Sequence, residues 1–194
     1  MKPINNYENV KATGSFEKLP VGVYKLQIIG VKYQDNSAKG FSDQLLIQYD
    51  IAEGDYKGYF KKQYEENTSE DKKYKGIYRL YVPTEDGSEK DEWSKSKFKA
   101  FTNAVEESNS GYAWNWDENT LKDKFIGAVF NDKEYEYNGR RGFFTNLFKV
   151  ISVSDMATAS IPEPTLLKTP SKATNSSYDP SAGTGSDLDE IPFN

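Results

Sequence analysis

Gly22-Val-Tyr-Lys-Leu-Gln-Ile-Ile-Gly-Val-Lys-Tyr33 and Gln44-Leu-Leu-Ile-Gln-Tyr-Asp-Ile51 decide the fold class. In the first stretch Tyr24, Leu26 and Ile28 alternate with Lys25 and Gln27. In the second, Leu45, Ile47, Tyr49 and Ile51 alternate with Gln44, Gln48 and Asp50, and Leu46 breaks the pattern. A strand sends successive side chains to opposite faces, so both stretches read as half-buried strands. The polar, Gly-containing segment from Lys32 to Ser42 reads as the loop of a hairpin between them.

Working outward, Ala52-Glu-Gly-Asp55 reads as a turn and residues 56–64 as a third strand. Residues 65–75 form a charged loop. Residues 78–82 form a short strand stopped by Pro83 and the Asp86-Gly87 turn. Ser88 followed by Asp91 resembles a capping box, and Glu89, Asp91 and Glu92 place negative charge at the positive end of a helix. The spacing predicts that Trp93, Ala100, Phe101 and Ala104 share its apolar face, widened by Phe98 and Val105. Asn109-Ser-Gly111 ends it. Residues 125–130 read as a strand, and Asn138-Gly139 joins a strand ending near Tyr137 to one running from Arg141 to about Val153. The order is strand, strand, strand, helix, strand, strand. It fits a mainly β fold, a five-stranded oligonucleotide-binding (OB) barrel with one helix between strands three and four. A β-sandwich or an open α+β sheet gives much the same string.

The 194 residues include no Cys and no His, which excludes disulfides, Cys/His zinc sites and His-based catalytic triads. No metal site, cofactor or enzymatic activity is expected. The acids at Glu65, Glu66, Glu70, Asp71, Glu85, Asp86, Glu89, Asp91 and Glu92 fall in polar loops and at a helix start, where solubility and the helix dipole account for them. Phosphate-loop, Gly-x-Ser-x-Gly and dinucleotide fingerprints are lacking. So is any apolar run long enough to span a membrane, and the N-terminus carries no basic-then-apolar signal, so a cytoplasmic protein is expected. Net charge is −5. From Ala157 onward Lys168 and Lys172 face Glu163, Asp179, Asp187, Asp189 and Glu190, so the acid excess lies largely there. That region is rich in Ser, Thr, Pro, Ala and Asn. Its composition divides the chain into a folded domain over 1–156, a flexible linker over 157–185 and an acidic tail over 186–194.

Aromatics make up 14% of the chain, with 14 Tyr. They interleave with cations in three places: Tyr56, Lys57, Tyr59, Phe60, Lys61, Lys62 and Tyr64; Lys72, Lys73, Tyr74 and Lys75 with Tyr78, Arg79 and Tyr81; and Tyr135, Tyr137, Arg140, Arg141 and Phe143. Single-stranded nucleic acid needs that mixture, rings on which bases stack and cations along the phosphates. The plainer alternative puts Phe60 and Tyr64 in the core under solvated lysines. The pair Trp114 and Trp116 reads as packing. In the tail, Asp187, Asp189 and Glu190 alternate with apolar groups and lead to Ile191, Pro192 and Phe193, a peptide suited to a pocket with a basic rim.

These residues carry a resemblance. The body resembles single-stranded-DNA-binding proteins encoded by phages of Gram-positive bacteria. The similar stretches are Gly14-Ser-Phe-Glu-Lys-Leu-Pro20, Tyr49-Asp-Ile-Ala-Glu-Gly-Asp-Tyr-Lys-Gly-Tyr-Phe60, Pro83-Thr-Glu-Asp-Gly87 with Asp91-Glu-Trp-Ser-Lys95, and Ala104-Val-Glu-Glu-Ser-Asn-Ser-Gly-Tyr112 with Trp114 and Trp116. The tail is similar to the acidic tip of bacterial single-stranded-DNA-binding proteins, which ends in Ile-Pro-Phe; here Asn194 follows Phe193. The resemblance implies an OB fold that coats single-stranded DNA without strong sequence preference during phage replication or recombination. It also implies a cytoplasmic location in a bacterial host and a tail that recruits replication and repair proteins. The expected groove uses Lys25, Tyr59, Lys61, Lys62, Tyr64, Lys73, Tyr74, Tyr78, Arg79, Tyr137, Arg140 and Arg141. The expected partner-binding residues are Asp187, Asp189, Glu190, Ile191, Pro192 and Phe193. Self-association is left open, and a protein-recognition adaptor of a phage replication complex is the alternative reading.

Overall fold

A computed structural model describes residues 2–3, 5–9 and 17–167. Five strands form one antiparallel sheet: β1 (Gly22–Gln34), β2 (Gln44–Ile51), β3 (Ile77–Tyr81), β4 (Phe125–Tyr137) and β5 (Arg140–Ile151). Their order in the sheet is β3-β2-β1-β4-β5. The mainly β class expected from the alternation holds. The closed barrel does not, because among the described residues no ladder joins β3 to β5. β3 is only five residues long and its ladder goes to β2. The helix α2 (Glu89–Ser108) packs on β3, β4 and β5, so the two edges are linked through a helix and not by hydrogen bonds. No helix among the described residues is long and apolar enough to cross a membrane.

β1 organises the sheet. Its first half pairs with β4 and its second half with β2, and Leu26 and Gln27 pair on both sides. The register shifts between Ile28 and Gly30, a bulge that sharpens the twist so that one strand serves two partners. The core holds Leu26, Ile28, Ile47, Leu80, Phe101, Leu121, Ile126 and Phe130. β2 is buried on both faces along nearly its whole length, and that is why Leu46 interrupts its alternation.

The expected third strand over 56–64 is instead a turn followed by the helix α1 (Tyr59–Glu66). Gly54 and Gly58 take left-handed conformations, at φ 81° and 71°, which end the extended chain. Gly58 has no side chain to cap the helix, and Asp50 on β2 does so instead. Its carboxylate accepts from Phe60 N at 3.0 Å and Lys61 N at 2.9 Å. Phe60 then enters the core against Tyr49 and Phe130. Spacings of four suit a helix as well as a strand, and here the cap decides.

α2 starts where expected, with the Ser88 hydroxyl accepting from Asp91 N at 3.1 Å. Its buried face differs from the expected one. Asp91, Ser94, Phe98, Phe101, Thr102, Ala104 and Val105 are inside, whereas Trp93 is 54% exposed and Ala100 faces solvent. Polar Asp91 is admitted because the loop before the helix supplies N–H donors to its carboxylate.

β4 and β5 run well past the end of β1, whose last partner on β4 is Phe130. Residues 131–137 and 140–146 thus form a projecting two-stranded arm, closed by Asn138 and Gly139 at φ 49° and 73°, as a type I′ turn requires. Of the stretch from Ala157 assigned by composition to a linker, the described residues 163–167 lie against the body. Thr165 bridges Lys133 in parallel and lies along the edge of β4. Its pairing groups satisfy backbone that β1 is too short to reach.

Candidate nucleic-acid interface

Alternation along the arm separates two chemistries. Lys133, Tyr135, Tyr137, Arg140, Gly142 and Phe144 share one face, and Asp132, Glu134, Glu136, Arg141, Phe143 and Thr145 share the other. On the first face Tyr137 is 71% exposed, and Tyr135 and Phe144 are about as exposed as each other at 44% and 42%. Lys133 and Arg140 are exposed among them. The Tyr135 ring lies 6.2 Å from that of Phe144 and across Gly142. A Cβ at 142 would sit 2.8 Å from the Tyr135 hydroxyl, so glycine lets the ring lie flat on the strand. The second face holds the arm's acids, and they are largely neutralised. Arg141 Nε meets Glu136 Oε2 at 2.8 Å, and Lys18 Nζ meets Asp132 Oδ1 at 2.5 Å.

The outer face of the sheet has the same parity as the aromatic face of the arm, but Asn131, Val129 and Gly127 between them are buried, Asn131 against residues 163–165 and Gly127 against Ser152 and Met156. Leu26, Ile28, Ile126 and Phe130 point inward, so Lys25, Gln27, Phe125 and Gly127 point outward. Beyond the bulge, register places Lys32, Leu46 and Arg79 in one row across β1, β2 and β3. Gln34, Gln44 and Tyr81 form the next row. Lys32, Arg79 and Tyr81 are exposed. The one carboxylate on this part of the sheet face is Asp50, already committed to the backbone of α1. On this part of the sheet the exposed groups are Lys32, Arg79 and Tyr81, set on either side of a β2 whose Leu46 and Gln48 are buried.

The expected site residues divide sharply. Tyr137 and Arg140 lie on the arm's aromatic face, and Arg79 and Lys25 lie on the outer face of the sheet. Lys25 is partly engaged, with Nζ 3.1 Å from Glu53 Oε2 and 4.9 Å above the Phe125 ring. Arg141 is on the arm's acidic face. Lys61 and Lys62 are on α1, each 3.9 Å from a glutamate one turn on. Lys73 is exposed in the loop before β3. Three tyrosines are structural. Tyr74 is buried and donates its hydroxyl to Tyr49 O at 2.9 Å, which leaves no ring face for a base. Tyr78 stacks on Phe101 in the core wall, ring centroids 6.0 Å apart. Tyr59 donates to Glu17 O at 2.7 Å and accepts from Leu19 N at 3.1 Å, pinning the chain that enters β1. Burial raises the pKa of each of these hydroxyls, so they stay protonated. Tyr64 packs on Tyr74 with Lys72 Nζ 4.6 Å from its ring. The tail residues Asp187, Asp189, Glu190, Ile191, Pro192 and Phe193 lie outside the described residues.

The expected groove left out Lys32, Tyr81, Lys133, Tyr135 and Phe144, although Tyr81 and Tyr135 stood in the interleaved clusters. The phase of Tyr24, Leu26 and Ile28 held the signal for the sheet: whatever alternates with the core residues faces out. Trp116, read as packing, is 78% exposed and stacks on Phe98 with its other neighbour Trp114 6.1 Å away. No family model matches the chain, and no curated protein matches it.

Proposed function

We propose that this protein binds single-stranded DNA without strong sequence preference, as a phage-encoded coat protein of replication and recombination in a bacterial host. It acts by binding and not by catalysis. One observation carries the reading: one face of the arm has exposed rings and cations while the arm's acids lie on the opposite face, largely neutralised, and Lys32, Arg79 and Tyr81 add exposed cations and a ring on the sheet. Bases stack on Tyr135, Tyr137, Phe144 and Tyr81, and phosphates follow Lys133, Arg140, Lys32 and Arg79. The sheet is read as an OB barrel opened at one seam. Breaking a five-stranded barrel between β3 and β5 leaves the order β3-β2-β1-β4-β5, with α2 between the third and fourth strands. In that fold the face of strands two and three and the loop between four and five take oligonucleotides. The acidic tail recruits replication and repair proteins.

The test is fluorescence anisotropy with a labelled oligothymidine of about 30 nucleotides and a duplex of equal length. Four cations on the strand give a slope of log affinity on log salt of about −3. Salt-sensitive binding to the single strand, with weak duplex binding, is expected. No binding at low salt refutes the reading and leaves the protein-recognition adaptor, which the solvent-facing Trp116 favours.

A further inference from the structure

The projecting arm has a stability problem. A two-stranded ribbon is marginal in water, and residues 131–146 extend beyond the sheet as such a ribbon. Two segments brace it. From one side Lys18 pairs with Asp132, and the Thr145 hydroxyl donates to Leu19 O. From the other, residues 163–167 lie along the β4 edge. Thr165 N donates to Asp132 O at 2.8 Å, and Glu134 N donates to Thr165 O at 2.9 Å. Asn131, 1% exposed, donates its amide to Glu163 O and Thr165 Oγ1, both at 3.1 Å. Leu167 N donates to Glu134 Oε2 at 3.0 Å. Five hydrogen bonds thus hold a short strap whose composition reads as linker.

We propose that this strap is a working part of the nucleic-acid interface: it holds the arm in the one conformation that aligns Lys133, Tyr135, Tyr137, Arg140 and Phe144. The strap touches the arm's edge and none of these side chains need contact it, so residues 163–167 and Asn131 act as positioning residues. The effect on binding rests on the single-strand reading above; the effect on the arm does not. If the unbraced ribbon is ordered about a tenth of the time, apparent affinity falls about tenfold, since affinity scales with the competent fraction.

Thr165→Pro in the full chain tests this, because proline removes the N–H that Asp132 O accepts. Thr165→Ser keeps both the N–H and the hydroxyl. Hydrogen exchange of the arm peptides without DNA and anisotropy with oligothymidine are measured on both. Expected are faster exchange in the arm and about tenfold weaker binding for Thr165→Pro, with Thr165→Ser like the parent. Unchanged exchange in Thr165→Pro overturns the brace. Faster exchange with unchanged binding overturns its role in the interface. Equal effects of Ser and Pro overturn its hydrogen-bonded basis. A parent protein that binds no single strand refutes the proposed function, and the exchange data still decide whether the strap orders the arm.

Discussion

Replacing Tyr137 by alanine separates binding from folding. The ring is 71% exposed at the arm's tip, next to the turn and away from the core. Its loss is a surface change, worth within about 0.5 kcal/mol of stability. Stacking of one base contributes about 1–3 kcal/mol. Affinity for oligothymidine then falls roughly 5- to 150-fold while the melting temperature stays put. Tyr74→Phe is the mirror experiment. It deletes a hydroxyl that donates to Tyr49 O at 2.9 Å inside the core and leaves that carbonyl without this donor. The cost is about 1–3 kcal/mol. A domain of this size loses about 2–4 °C per kcal/mol, so the melting temperature falls by several degrees with affinity unchanged below the transition. Anisotropy titration and thermal unfolding by circular dichroism measure both quantities on both variants. Tyr137→Ala binding within twofold of the parent would refute the assignment of the arm's face. A large affinity loss in a folded Tyr74→Phe would show that the wrong tyrosines have been placed outside.

Three further outcomes follow from particular contacts. Lys133→Ala lowers the steepness of the salt dependence by about 0.7, the share of one phosphate on a single strand, and an unchanged slope removes Lys133 from the path. Asp91 is held down at about 2, first by the Lys95 ammonium 2.9 Å away and then by the N–H groups of Glu85, Thr84 and Gly87. Its folded pKa is below its unfolded value of about 3.9, so its stabilisation is complete above that value and is lost as pH falls through about 2. Asp91→Asn is therefore less stable than the parent at neutral pH, and in urea titrations the gap closes between about pH 4 and pH 2; a gap independent of pH contradicts the assignment. Gly76→Ala would place a Cβ 2.3 Å from Tyr49 O and 2.9 Å from the Phe60 ring. The overpacking costs about 1–3 kcal/mol, read as a lower urea midpoint, and an unshifted midpoint would mean that the loop before β3 yields freely.

The parts of the fold written in local pattern were legible. β2 runs from Gln44 to Ile51 as its alternation indicates, Ser88 caps α2, and Asn138-Gly139 turns the last hairpin. The misreadings arise where a distant residue decides. α1 depends on Asp50, ten and eleven positions upstream of the N–H groups it caps, and no local period reveals that. Trp93 looked buried because it is apolar, while the helix buries Asp91 and Ser94 because loop and backbone groups satisfy them. The site was half visible. Residue types marked the three clusters, but tyrosines were chosen without the strand phase. Tyr74 and Tyr78 therefore entered the set and Tyr135 and Tyr81 stayed out of it.

The arm's alternation also restricts how its surface can change. Adding one residue to each strand below the tip would rotate everything distal by half a period, carrying Tyr137 and Arg140 to the side of Glu134 and Glu136. Adding one residue to a single strand would make a bulge, as Phe148 already does at the arm's base. Only additions of two residues per strand keep rings and cations together, each lengthening the platform by about 6.8 Å. The length of the arm's aromatic face can therefore change only in even steps.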